Sequence, residues 1–156
     1  MSQSRESRTM KPEGISASLE DYLETIAELI QTHGHAHAKS IAEKRKVKMP
    51  SVTSALGALA KAGHIRYQPN FPVKLTSSGE KMAEQVAWRH QVLEEFLREV
   101  LMLSRKEAEK YACIMEHVVS GRLAARLGIL RDAICHRYGC GELREHLFRL
   151  FQSEIN

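Results

Sequence analysis

The helical repeat of apolar residues that runs through much of this chain breaks at "HIRYQPNFPVKLTSSG", residues 64–79. A helix returns to one face every 3.6 residues, whereas a strand alternates sides. Before the break, Leu19, Tyr22, Leu23, Ile26, Ala27, Leu29 and Ile30 form one helical stripe that the glycine of "THGH" ends. Ser16 or Ser18 can cap its start. "AKSIAEKR" (38–45) predicts a short helix, and "KVKMP" (46–50) predicts a turn whose Pro50 suits a first helical position. "SVTSALGALAKAG" predicts a second helix with Val52, Leu56 and Leu59 inward, stopping at Gly63. Within 64–79, apolar residues alternate only in part, and Pro69, Pro72 and a turn-prone "PN" exclude a helix. Two short strands joined by a loop are expected there.

Helix, tight turn, helix and β-hairpin in that order make a winged helix-turn-helix. Charge agrees with it. From Ala36 to Lys74 there are eight Lys or Arg residues against one acid, Glu43, whereas Ile15–His35 holds four acids and no Lys or Arg. A basic segment of this length suits a polyanion partner, although a solvated basic face is an ordinary alternative. Beyond the hairpin, the pattern is helical again. A long helix is expected from Ser78 or Glu80 to about Leu103, with Val86, His90, Leu93, Leu97 and Leu101 inward. Residues 105–127 are expected to be helical. "GILRDAICHRY" and "GELREHLFRLFQ" are expected as two short helices separated by "GCG" at 139–141.

The fold class is therefore mainly α. Residues 1–14 are read as a flexible tail, 15–79 as a winged-helix DNA-binding domain and 80–156 as a helical domain. A 43% hydrophobic share with only 6% aromatics suits helices packed through Leu, Ala, Val and Ile. No run of 18 apolar residues occurs, so no membrane span is expected. The first residues lack the apolar core of a signal peptide, and three cysteines make no disulfide framework. The cytoplasm is the expected compartment, where thiols stay reduced and free to bind metal.

Three segments carry donors for a transition metal. Asp21 and Glu24 are i, i+3 on the first helix, and His90 and Glu94 are i, i+4 on the long one. Cys113, Glu116 and His117, in "YACIMEHVVS", share one face if that stretch is helical. Carboxylate, imidazole and thiolate hold Mn(II), Fe(II), Co(II) or Zn(II). Each pair taken alone is more often a solvated pair on a helix surface. Two other clusters have the same ambiguity. His33, His35 and His37 alternate in "HGHAH", and Cys135, His136, Cys140 and His146 crowd the last helices. Exposed or packed side chains account for both.

Taken in order, "SASLEDYLETIAEL", "PSVTSALGALAKAGHI", "KLTSSGEKMA", "RHQVLEEFLREVL" and "CIMEHVVS" resemble the metal-dependent repressors of the diphtheria toxin repressor and manganese transport regulator family. The likeness spans about residues 16–127. It implies a homodimer that binds a palindromic double-stranded operator and represses metal-homeostasis genes. Metal held between the domains would fix the dimer for DNA, with Mn(II) or Fe(II) as cofactor and Co(II) or Zn(II) as substitutes. It implies metal ligands at Asp21, Glu24, His90, Glu94, Cys113, Glu116 and His117. Asp21 and Glu24 match manganese-type members, whereas Cys113 and Glu94 match iron-type ones, so the set is mixed. A single thiolate offers no second hard oxygen, which argues against an unchanged transfer of the paired site of manganese-type members; two nearby sites sharing Glu116 also fit the residues. The chain ends at Asn156, too early for the SH3-like third domain of iron-type members.

A winged helix puts the N-terminal turns of its second helix into the major groove. Pro50, Ser51, Thr53 and Ser54 are the expected base-side contacts, and Lys39, Lys48, Lys61 and Arg66 the phosphate contacts. Thr76 and Ser77 are expected at the start of the long helix. Two other function classes fit the same residues. One is a small metal hydrolase, although no His-Glu-x-x-His motif occurs. The other is a winged-helix regulator that senses redox state or a small molecule through its cysteines.

Overall fold

A computed structural model describes residues 15–135 and 141–153. The expected tail 1–14 and most of the "GCG" connection lie outside them. The described elements are α1 (Ala17–His33), α2 (Ala38–Arg45), α3 (Met49–Lys61), β1 (Ile65–Arg66), β2 (Lys74–Leu75), α4 (Ser77–Glu99), α5 (Arg105–Met115), α6 (Gly121–Cys135) and α7 (Gly141–Ser153). None of these helices is long and apolar enough to cross a membrane.

The first half packs α1, α2, α3 and the hairpin around Leu23, Ile26, Ile41, Val52, Leu56 and Leu59, all fully buried. α1 ends where Gly34 turns left-handed (φ 77°) and returns its N–H to the Ile30 carbonyl. α2 ends in the same way at Lys46 (φ 55°), so the turn before α3 is only residues 46–48. α3 therefore starts one residue earlier than the proline suggested, with Pro50 inside its first turn. β1 and β2 pair antiparallel, with Ile65 opposite Leu75 and Arg66 opposite Lys74. Ala36, between the histidines of "HGHAH", bridges to Val73 at the edge of this hairpin. The Val73 N–H donates to the Ala36 carbonyl at 2.7 Å.

The hairpin is fastened to α4. Thr76 caps that helix by accepting from the Gly79 N–H, and its hydroxyl donates to the Gly63 carbonyl at 2.7 Å. A Cβ on Gly79 would stand 2.0 Å from the His64 carbonyl oxygen, so only glycine permits this approach of helix to loop.

α4 then runs beside α1, α5 and α6 and carries a second core of Leu93, Leu97, Ala108 and Ala112. It stops at Glu99, four residues short of the expected end. Met102 adopts a left-handed φ of 57° without being glycine, and the Leu103 N–H returns to the Leu97 carbonyl, which turns the chain away from the helix. Leu101 is consequently exposed rather than inward. Ser104 and Glu107 form a capping box that starts α5. The expected helix over 105–127 is in fact broken at 116–120. The Ser120 hydroxyl accepts from the Leu123 N–H and opens a new helix at Gly121. α6 then continues through Gly128, where a Cβ would press on Val92 at 3.3 Å. The break thus falls between α5 and α6, not at 127/128.

Candidate metal centre

Three elements meet at one cleft of ≈ 700 Å³. α1 brings Asp21 and Glu24, α4 brings His90, and the end of α5 with its following turn brings Cys113, Glu116 and His117. Because α5 ends at Met115, Glu116 is its C-cap and His117 lies just past it. The turn keeps helical dihedrals at Glu116 (φ −58°, ψ −28°), so both side chains still project on the Cys113 side.

Asp21, Glu116 and His117 each place a ligand atom within 4.8 Å of the others. That is close to the spread of about 4–4.6 Å that opposite ligands of one first-row ion span. His117 Nε2 is 2.8 Å from Asp21 Oδ1 and 3.3 Å from Glu116 Oε1. Its other nitrogen, Nδ1, faces Glu20 Oε2 at 2.8 Å. A neutral ring that donates from Nδ1 to Glu20 leaves the Nε2 lone pair aimed at Asp21 and Glu116. This carboxylate–imidazole arrangement orients a histidine for a metal.

His90 Nδ1 is 2.6 Å from Glu116 Oε2, and Cys113 Sγ is 3.9 Å from the same nitrogen. Glu24 shares the cleft. Glu94 does not line it. It lies 3.9 Å from His90 Nε2 on the far side of the ring and pairs with Arg98 at 3.5 Å. The structure thus brings six of the seven expected residues together and sets Glu94 behind His90.

Electrostatically the cleft is short of positive charge. The Glu116 carboxylate is only 4% exposed, an expensive place for a lone anion. Burial and the neighbouring Glu116 push the Glu24 carboxyl up to about 7. The hydrogen bond that His90 donates to Glu116 raises the His90 imidazole. Burial and then Glu116 raise the Cys113 thiol. A cation bound there would compete with protons for all three groups. Hard oxygens, imidazole and one thiol in a partly closed cleft fit a divalent transition metal.

Sequence reasoning missed three charged neighbours. Glu20 holds His117 and also accepts from Arg89 at 3.3–3.4 Å. Arg89 Nε donates to the Glu116 carbonyl at 2.7 Å, which fixes the backbone of the turn. Arg45 reaches Asp21 from α2. Nothing in the sequence connects these residues, since Glu20 and Arg89 are 69 positions apart.

The eight residues expected against DNA are all exposed. Lys48 is the N-cap of α3, and Pro50, Ser51, Thr53 and Ser54 lie on its outer face. The Thr53 hydroxyl donates to the Met49 carbonyl, leaving its lone pairs and methyl outward. Lys39 lies 4.0 Å from Glu43, and Lys61 is in the last turn of α3. Arg66 stands opposite Lys74, which the sequence reading had not singled out as a contact. Like charges directly opposed on a hairpin are unfavourable without an anion.

The other two clusters show no gathered donors among the described residues. His35 and His37 meet edge to face at 5.2 Å. The Cys135 thiol donates to the Glu99 carbonyl, and His146 is exposed on α7. His136 and Cys140 lie outside the described residues.

Comparison with known proteins places these features. Residues 14–71 match the iron dependent repressor N-terminal DNA binding domain. Residues 76–132 match the iron dependent repressor metal binding and dimerisation domain. An uncharacterized HTH-type transcriptional regulator of Methanocaldococcus jannaschii is 31% identical over 76% of this chain and 95% of its own length. The HTH-type transcriptional regulator MntR of Oceanobacillus iheyensis is 35% identical over 72% of this chain and 76% of its own. A solved manganese-dependent transcriptional repressor in complex with manganese superposes with a TM-score of 0.66 at 30% identity. It covers 73% of this chain, which spans about half (52%) of that longer one. The chain belongs to the diphtheria toxin repressor and manganese transport regulator family of metal-dependent transcriptional repressors.

Proposed function

We propose that this chain is a homodimeric repressor that binds a palindromic operator when a divalent transition metal, Mn(II) or Fe(II), occupies the cleft of Asp21, Glu24, His90, Cys113, Glu116 and His117. One observation carries the reading: Asp21 of the DNA-binding half lies 2.8 Å from His117 of the helical half. We divide the halves within the first turn of α4, as 15–79 and 80–156, with the eight exposed residues Lys39, Lys48, Pro50, Ser51, Thr53, Ser54, Lys61 and Arg66 on the DNA side. Glu94 is retained as a partner of His90, not as a member of the central set.

The metal, when bound, supplies positive charge and directional bonds at the junction. The chain does the rest. Glu20 fixes the tautomer and angle of His117, Arg89 anchors the Glu116 backbone, and His90 holds the second Glu116 oxygen. Without a cation, Asp21, Glu24 and Glu116 repel across the junction, and the two halves lose a fixed relation. Raising a DNA-competent state from 1:99 to 99:1 takes about 10⁴-fold preferential binding, roughly 5.5 kcal/mol. Several metal–ligand bonds can supply that. Among the described residues, a redox-sensor reading gains no support, because reactive cysteines need a lowered thiol pKa and burial raises both Cys113 and Cys135.

The test is operator binding by chelated protein in anaerobic buffer, titrated separately with Mn(II), Fe(II), Co(II) and Zn(II). Glu116→Ala and His117→Ala should abolish the metal response and leave a folded dimer. A metal response that survives in both variants refutes the assignment.

A further inference from the structure

Arg45 is the last residue of α2 and reaches across to α1. Its Nη2 is 2.9 Å from Asp21 Oδ2, and its guanidinium lies 4.3 Å from the centre of the Tyr22 ring. Nη1 is 3.5 Å from the Thr25 hydroxyl. The side chain is 20% exposed, and its Nε is buried without a hydrogen-bond partner. An unmet N–H on a buried cation is costly. The guanidinium is therefore kept in place by the carboxylate and the ring despite incomplete hydrogen bonding. Asp21 faces two neighbours, Oδ1 towards His117 Nε2 and Oδ2 towards the Arg45 guanidinium.

We propose that Arg45 is a positioning residue that sets the metal affinity of the cleft. This inference rests on the metal reading above. By occupying Oδ2, Arg45 leaves Asp21 one oxygen, Oδ1, to offer a cation. Its permanent charge on the wall of the same cleft opposes a second positive charge entering. In the metal-free protein it substitutes for part of the missing charge and holds α2 against α1. The helix-turn-helix thus touches the cleft through α2 as well as α1. A cation must compete with a residue of the DNA-binding half, so the concentration at which the site fills is higher than the bare donor set would give.

The test is calorimetric titration of the metal-free full chain with Mn(II) and with Co(II). Arg45→Gln and Arg45→Met remove the charge, and Met keeps the apolar stem over Tyr22 for the case in which Gln does not fold. Each should bind both ions about tenfold more tightly, the scale of one removed, partly screened charge. Arg45→Lys keeps the charge and should stay within about threefold of wild type. The neutral metal-free variants should also melt at lower temperature, since Asp21 loses its counter-charge. A residue with a purely structural role would lower affinity on removal, so a gain with lysine rescue separates the two roles. Unchanged or weaker binding in the folded neutral variants, with Glu116→Ala abolishing binding, overturns the Arg45 proposal and leaves the site intact. Wild-type affinity in Glu116→Ala overturns the metal reading itself.

Discussion

Glu24→Gln tests the charge shortage of the cleft without any metal. In the folded protein, burial and Glu116 push the Glu24 carboxyl from 4.5 to about 7. The unfolded chain releases that proton near its ordinary value. Between the two values the folded state binds more protons, so stability falls as pH rises through that window. The contribution is intact below about 4.5 and lost above about 7. A shift of this size corresponds to about 3.4 kcal/mol at 1.36 kcal/mol per unit. Glu24 is only half-buried, and solvent screening reduces the expected effect to about 1–2 kcal/mol. His90, raised by its bond to Glu116, changes in the same sense: its share is present at low pH and lost as pH rises through its folded value. Comparing variant with wild type isolates Glu24. Gln resembles the protonated acid, so the two proteins should be equally stable near pH 4, and the variant should be about 1–2 kcal/mol more stable at pH 8. Urea unfolding in chelator at fixed protein concentration, followed by Trp88 fluorescence, measures this. Equal stabilities at pH 8, or a difference that does not change between pH 4 and 8, would refute the reasoning.

Glu20→Gln should weaken metal binding by about 10–100-fold with little loss of metal-free stability, because it releases the orientation of His117; isothermal titration measures it, and unchanged affinity would make Glu20 a bystander. Cys113→Glu should move the response towards Mn(II) and away from Co(II) and Zn(II), since a hard carboxylate replaces a soft thiolate. The wild-type Co(II) complex should show a sulfur-to-metal charge-transfer band that the variant lacks, and identical spectra would remove Cys113 from the ligand set. Lys48→Ala should weaken binding to all DNA sequences alike and reduce the salt slope by about one. An unchanged slope with loss of only specific binding would mean that Lys48 reads bases.

Local sequence determined the elements whose signals are local. The α1 stripe, the short α2, the proline-led α3 and the hairpin at 64–79 follow from apolar spacing, Gly34, Pro50 and Pro69, because those residues constrain their own backbone. The stops at Met102 and at 116–120 were not legible. A non-glycine left-handed residue gives no composition signal, and Ser120 looks like any serine until Leu123 donates to it. The donor types at 21, 24, 90, 113, 116 and 117 were readable as chemistry. Their assembly was not, because α1, α4 and the α5–α6 turn meet only when two separate cores pack along α4. Tertiary structure alone decided that Glu94 stays out of the cleft, that Glu20 rather than a ligand residue orients His117, and that Arg45 takes half of Asp21. The physical reason is range: backbone preferences act within a turn, whereas the field at a buried carboxylate is set by charges tens of residues away in sequence and a few ångströms away in space.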